Sequence, residues 1–164
     1  MAEIVSAGIL LFRRPAGSLE VLLGHPGGPW SGGTDAGSWG IPKGQPHRAE
    51  SAETGATDLL AVARREFEEE TGHPVPAGTL IPLGAVVQKG GKVVHAWAAE
   101  GDLDPALASS NTFQMEWPPR SGRVGTFPEI DRVAWFEPSE ARVRIRDAQM
   151  ALIDRLEAAL AAKP

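Results

Sequence analysis

Arg64-Arg65-Glu66-Phe67-Glu68-Glu69-Glu70-Thr71-Gly72 is the stretch on which the reading of this chain turns. Leu60, Ala63 and Phe67 recur at spacings of three and four, one apolar stripe, so the pattern predicts a helix from about Ala56 to Thr71. Gly72 supplies a left-handed C-terminal position and Pro74 prevents continuation. Glu66 lies three residues before Glu69 and four before Glu70, which puts the three carboxylates on a shared face beside the apolar stripe. Like charges at that spacing cost a few tenths of a kcal/mol per pair, and the negative end of the helix dipole disfavours each by ~0.3–1 kcal/mol. Arg64 and Arg65 offset part of this. A solvated acidic helix end is the simplest reading of such a run. A divalent cation would remove both penalties at once, and Mg²⁺ typically takes a few carboxylates together with substrate phosphate oxygens and water.

Outward from this helix, the chain alternates strands and turns. Ile4 to Arg13 and Leu19 to His25 read as two strands joined by the short link Pro15-Ala16-Gly17-Ser18, a hairpin. Pro26 to Ser38 is dense in Gly and Pro and reads as a loop. WGIPKG (Trp39 to Gly44) reads as a short strand entering a turn, and 45–55 as a polar surface loop. Leu80 to Gln88 and Lys92 to Glu100 form a second hairpin around Gly90-Gly91. Residues 101–131 read as irregular, Arg132 to Phe136 as a further strand, Pro138 as the start of a helix, and Ala148 to Ala162 as a C-terminal helix. Strands mixed with helices in this order predict a mixed sheet with helices packed on it.

Composition narrows the function. With 164 residues, 42% hydrophobic and 23% charged, the chain is sized for one domain, 1–164, with its own core. It has 19 glycines and 14 prolines, too many for a helical bundle. It has no cysteine, which removes disulfides, thiolate catalysis and Cys-zinc sites. A net charge of −5 argues against holding long nucleic acid, which requires neutralising many phosphates with Lys and Arg. A small phosphate ligand held by a local patch or a metal remains open. No run approaches the ~20 apolar residues of a membrane span. The apolar Ile4–Phe12 lacks the positive leader of a signal segment, so the cytoplasm is the expected location.

The acidic run resembles the second half of the Nudix box, G-x5-E-x7-R-E-U-x-E-E-x-G-U, with U a bulky apolar residue. Arg65, Glu66, Phe67, Glu69, Glu70 and Gly72 fill R, E, U, E, E and G. WGIPKG is similar to the strand and turn that lead into the box in many Nudix hydrolases, including the diadenosine polyphosphate type. Three departures stand out. Gly44 precedes Arg65 by 21 positions where the pattern has 14, so about seven residues are inserted, placed within 45–55. Thr57 stands where the box has its first Glu, with Glu50, Glu53 or Asp58 as stand-ins. His73 fills the last apolar position.

The resemblance implies an α/β/α sandwich with a mixed β-sheet and hydrolysis of a phosphoanhydride in a nucleoside diphosphate derivative. WGIPKG leans towards dinucleoside polyphosphates. It implies Mg²⁺ or Mn²⁺ bridging Glu66, Glu69 and Glu70 to substrate phosphates, a backbone carbonyl near Lys43-Gly44 as a further ligand, and Arg65 orienting a box glutamate. Glu66 is the first choice of general base and Glu70 the next, with Glu116 the distal candidate. Lys43, Gly44, Arg120 and Trp117 are the candidate substrate contacts, Arg120 with Arg123 forming a positive loop. Trp30 is a second loop aromatic that could stack on a base, whereas Trp39, Trp97, Trp135 and Phe136 are expected to pack in the core. The four histidines show no H-x-x-x-H metal spacing. A nucleotide-binding sensor without turnover is the alternative function, favoured by Thr57. Frequent dimers in the family leave a homodimer as an expectation. The isomerases of this fold rely on a cysteine and are disfavoured.

Overall fold

In the computed structural model, which describes residues 4–29, 35–47 and 58–162, the first strand organises everything around it. The elements in chain order are β1 (Val5–Arg13), β2 (Glu20–Pro26), β3 (Lys43–Gly44), α1 (Leu59–Thr71), β4 (Ile81–Val87), β5 (Val93–Glu100), β6 (Thr112–Glu116), β7 (Val124–Pro128), β8 (Ile130–Phe136), α2 (Pro138–Arg144) and α3 (Met150–Ala161). The main sheet runs β4-β5-β1-β2-β8, with β3 also paired to β1. β1 and β5 are parallel and the other pairs antiparallel, giving the expected mixed sheet.

Alternation along β1 builds two cores. Ala7, Ile9 and Leu11 pack with Val62, Ala63 and Phe67 of α1. Leu10 and Phe12 pack with Ile145 and with Leu152, Ile153 and Leu156 of α3. Helices therefore cover both faces, and the fold is the α/β/α sandwich that the resemblance implied. No helix among the described residues is long and apolar enough to cross a membrane.

The feature that positions the site is a wedge. β2 pairs with β1 only at Phe12↔Val21 and Arg13↔Glu20. Beyond that the two strands part, and residues 39–44 run between them. Gly24 and Gly40 exchange both backbone hydrogen bonds, at 2.8 and 3.0 Å, while Gly44 and Lys43 pair with Ala7 and Gly8. The wedge needs Gly8, because a Cβ there would stand 2.6 Å from the Pro42 carbonyl oxygen.

The structure departs from the sequence reading in several places, and β8 begins at Ile130, not Arg132. α1 begins at Leu59, not Ala56, because the Asp58 carboxylate accepts from the Ala61 N–H at 3.2 Å and caps the helix. The C-terminal helix begins at Met150, after a 3₁₀ turn over Asp147–Gln149. The stretch 101–131 is not irregular throughout: β6 and β7 pair from Thr112↔Pro128 to Glu116↔Val124 as a separate hairpin. Its strands bury little and its turn holds Pro118, Pro119 and Gly122, so composition masks the alternation of Phe113 with Met115.

Candidate active site

The site grows from the last two turns of α1. Val62, Ala63 and Phe67 anchor one stripe in the core, and the helical period carries the same buried side round to Glu66 and Glu70. Both residues are only 8% exposed, and Glu69 is half-buried beside them. Gly72, with φ 76°, closes the helix by donating its N–H to the Glu68 carbonyl at 2.8 Å.

β3 lies directly against these groups. A Cβ on Gly44 would sit 2.1 Å from the Glu66 carboxyl carbon, so only glycine admits the carboxylate here. The backbone N–H of Lys43 donates to Glu70 Oε1 at 3.3 Å. Arg65 ties the cluster together: its Nη1 donates to Glu66 Oε1 at 2.8 Å and to the two Glu69 oxygens at 2.9 and 2.6 Å. Its Nη2 donates to the Gln45 carbonyl oxygen at 3.0 Å.

A cavity of about 390 Å³ is lined by Lys43, His47, Glu66, Glu69, Glu70 and Glu129, among others. An adjoining cavity of about 160 Å³ shares Lys43, Glu70 and Glu129 and adds Arg146 and Gln149. Three groups that line these cavities, Glu70, Glu129 and Lys43, titrate away from their ordinary values. Burial first, and then the charge of Glu66, push the Glu70 carboxyl up to about 9, against the pull of the Lys43 N–H. Burial and the charge of Glu66 also raise Glu129. Lys43 is lowered, by burial first and then by Arg146, while Glu70 and Glu66 act in the opposite sense.

This donor set fits a divalent cation. Hard carboxylate oxygens converge, two of them buried, where neighbouring negative charge is otherwise unfavourable, and a glycine clears the approach.

Of the residues singled out in the sequence, Glu66, Glu69, Glu70, Arg65, Lys43 and Gly44 come together. Arg120 and Trp117 do not: they lie in the 117–123 turn of the β6–β7 hairpin and line neither cavity. Glu116 is engaged in that turn, its Oε1 accepting from the Arg120 N–H at 2.9 Å and its Oε2 from the Gly122 N–H at 3.1 Å. Asp58, one of the stand-ins for the missing Glu, is the helix cap. Glu50, Glu53 and Thr57, most of the expected insertion, and Trp30 lie outside the described residues. Trp39 is buried as expected, edge-on to Phe136, and His25 is buried against it. Glu129 is the acid that sequence reasoning missed. It sits between β7 and β8, in a stretch read as irregular, and only strand pairing across the chain brings it to α1. Arg146 and Gln149 carry no local signal either.

The NUDIX domain family profile matches residues 3–156. No curated protein matches the chain by sequence. Among solved structures, the NUDIX domain of Shewanella oneidensis NrtR complexed with ADP ribose superposes with a TM-score of 0.64 at 17% identity, over 98% of this chain and 90% of that one. A C. elegans Ap4A hydrolase binary complex gives 0.63 at 22% identity, over 96% and 99%. The M. Smegmatis Nudix hydrolase RenU gives 0.55 at 22%, over 99% and 88%. At these identities the structures show a shared fold. The profile match over nearly the whole length, together with that fold, makes this chain a member of the Nudix family.

Proposed function

We propose that this chain hydrolyses a phosphoanhydride bond in a nucleoside diphosphate derivative, using Mg²⁺ or Mn²⁺ held by Glu66, Glu69 and Glu70. The observation that carries the reading is the convergence of these three carboxylates, Glu129 and Lys43 on one cavity at the end of α1. When bound there, a divalent cation supplies charge neutralisation at the phosphate and a lowered pKa for an attacking water.

The chain's own residues do the rest. Arg65 fixes the rotamers of Glu66 and Glu69 through one shared guanidinium nitrogen. Gly44 lets the Glu66 carboxylate approach the β3 backbone, and the Lys43 N–H holds Glu70 in place. The Lys43 ammonium, half-buried in both cavities, offers a positive charge to substrate phosphate oxygens. Glu66 takes the proton of the attacking water, with Glu70 next in line. Glu129 joins them as a further carboxylate at the cavity in place of Glu116. Arg146, which lines the smaller cavity with Lys43, Glu70 and Glu129, extends the cationic lining beyond Lys43 and supports a substrate with several phosphates, such as a dinucleoside polyphosphate.

The test is a divalent-ion-dependent screen over nucleoside triphosphates, dinucleoside polyphosphates and nucleotide sugars, with the products identified. Turnover should require the metal and be abolished by Glu69→Gln or Glu70→Gln. Thr57, where the box has a Glu, favours the second reading, a sensor that binds without turnover. Tight binding of a panel nucleotide with no product under any divalent ion would establish that reading instead.

A further inference from the structure

Three residues beyond Gly44, at the end of the segment that leads into 48–57, the chain places an imidazole over the acidic cluster. One ring nitrogen of His47 and one carboxylate oxygen each from Glu66 and Glu69 all lie within 4.8 Å of one another. In a cation site with bonds of roughly 2.1–2.2 Å, neighbouring donors are about 3 Å apart and opposite ones about 4.3 Å. His47 is exposed, so a change of rotamer would be enough to close the remaining gap.

The backbone that carries His47 is held from two directions. Lys43 and Gly44 are in register with Gly8 and Ala7 of β1. The Gln45 carbonyl accepts from Arg65, the same guanidinium that grips Glu66 and Glu69. Arg65 thus ties the start of the segment to the carboxylates, two residues before His47. The line of the pocket wall agrees, since His47, Glu66, Glu69 and Glu129 border one cavity.

The geometry points to His47 as a nitrogen ligand of the metal, entering from outside the Nudix box and giving the site mixed nitrogen and oxygen donors. This rests on the metal-dependent reading above. The chemical consequence is selectivity. Mg²⁺ is suited to an all-oxygen shell, whereas imidazole suits later divalent ions, whose affinity for nitrogen donors rises from Mn²⁺ through Co²⁺. The site therefore favours Mn²⁺ and Co²⁺ over Mg²⁺, and His47 is the residue that sets the preference.

The experiment uses the full chain with Mn²⁺ alone. Binding is followed by the loss of the free-ion electron paramagnetic resonance signal, and the ligand sphere by nitrogen modulation of the electron spin echo. Wild type should show imidazole nitrogen coupling and His47→Gln should not. His47→Gln should also weaken Mn²⁺ binding by at least about tenfold, with Mg²⁺ measured by competition changing less than about threefold. His47 is exposed, so an unchanged metal-free melting curve should confirm that the variant is folded. Stoichiometric Mn²⁺ binding without nitrogen coupling, or coupling that persists in His47→Gln, would overturn the assignment while leaving the metal reading intact if Glu69→Gln still weakens binding. If Mn²⁺ fails to bind wild type at all, both readings fall together.

Discussion

Replacing Glu70 by glutamine should stabilise the metal-free protein while removing its response to metal. Glu70 is only 8% exposed, and its carboxyl is pushed up to about 9, against 4.5 for an ordinary glutamate, by burial and by Glu66. A carboxyl raised in the fold stabilises the folded state fully below its unfolded pKa. That contribution is lost as pH rises through the window from 4.5 to about 9. At pH 8 the solution is 3.5 units above the unfolded pKa of 4.5, which at 1.36 kcal/mol per unit sets a ceiling of about 5 kcal/mol. Relaxation of the site and water entry leave about 2–4 kcal/mol of this. Glutamine keeps an acceptor for the Lys43 N–H and needs no proton. In EDTA at pH 8 the variant should melt about 5–15 °C above wild type, measured by calorimetry. At pH 5 the two curves should nearly coincide. With Mn²⁺ at a hundredfold its Kd, wild type should recover about 2.7 kcal/mol and the variant much less. A variant that melts no higher than wild type in EDTA at pH 8, or a gain that is the same at pH 5, would refute the burial argument.

Gly44→Ala places a methyl 2.1 Å from the Glu66 carboxyl carbon, so it should cost about 1–3 kcal/mol in thermal unfolding and displace Glu66 enough to abolish metal binding by titration. Arg65→Lys keeps the charge but not the fork that spans Glu66, Glu69 and the Gln45 carbonyl. Its metal affinity should fall about tenfold in the same titration, and a wild-type value would refute the bridging role. Glu129→Gln should lower kcat at least tenfold in the phosphoanhydride assay. Glu116→Gln should leave kcat unchanged and instead raise proteolytic cleavage within the 117–123 turn that Glu116 holds.

What could be read from the sequence was what lies within a single helix or hairpin. The spacing of Glu66, Glu69 and Glu70 beside Phe67 is a local property, and the fold leaves it unchanged. The Gly72 stop and the two strand hairpins are local in the same sense. Glu129 and Arg146 reach the site only through pairings across long separations, β2 with β8 and Trp39 with Ile145, which no local period encodes. Arg120 and Trp117 show where a local pattern stops being informative. A cationic, proline-stiffened loop looks like a phosphate clamp, but the β6–β7 register carries it to the tip of a hairpin. Gly44 was legible as a turn residue, whereas its closeness to Glu66 depends on how β3 docks against α1.

The strip from Trp39 to Gly44 is stitched at one end to β1 and at the other to the C-terminal helices. Trp39 exchanges backbone hydrogen bonds with Arg144 and Arg146, and the buried Gln149 side chain accepts from the Ile41 N–H at 2.9 Å. The floor beneath the acids is thus suspended from the far end of the polypeptide. Trimming the last helix, whose Leu152, Ile153 and Leu156 share a core with Trp39 and Ile41, should abolish whatever turnover the intact chain shows by letting that floor sag, a remote injury that would masquerade as damage to the chemistry itself.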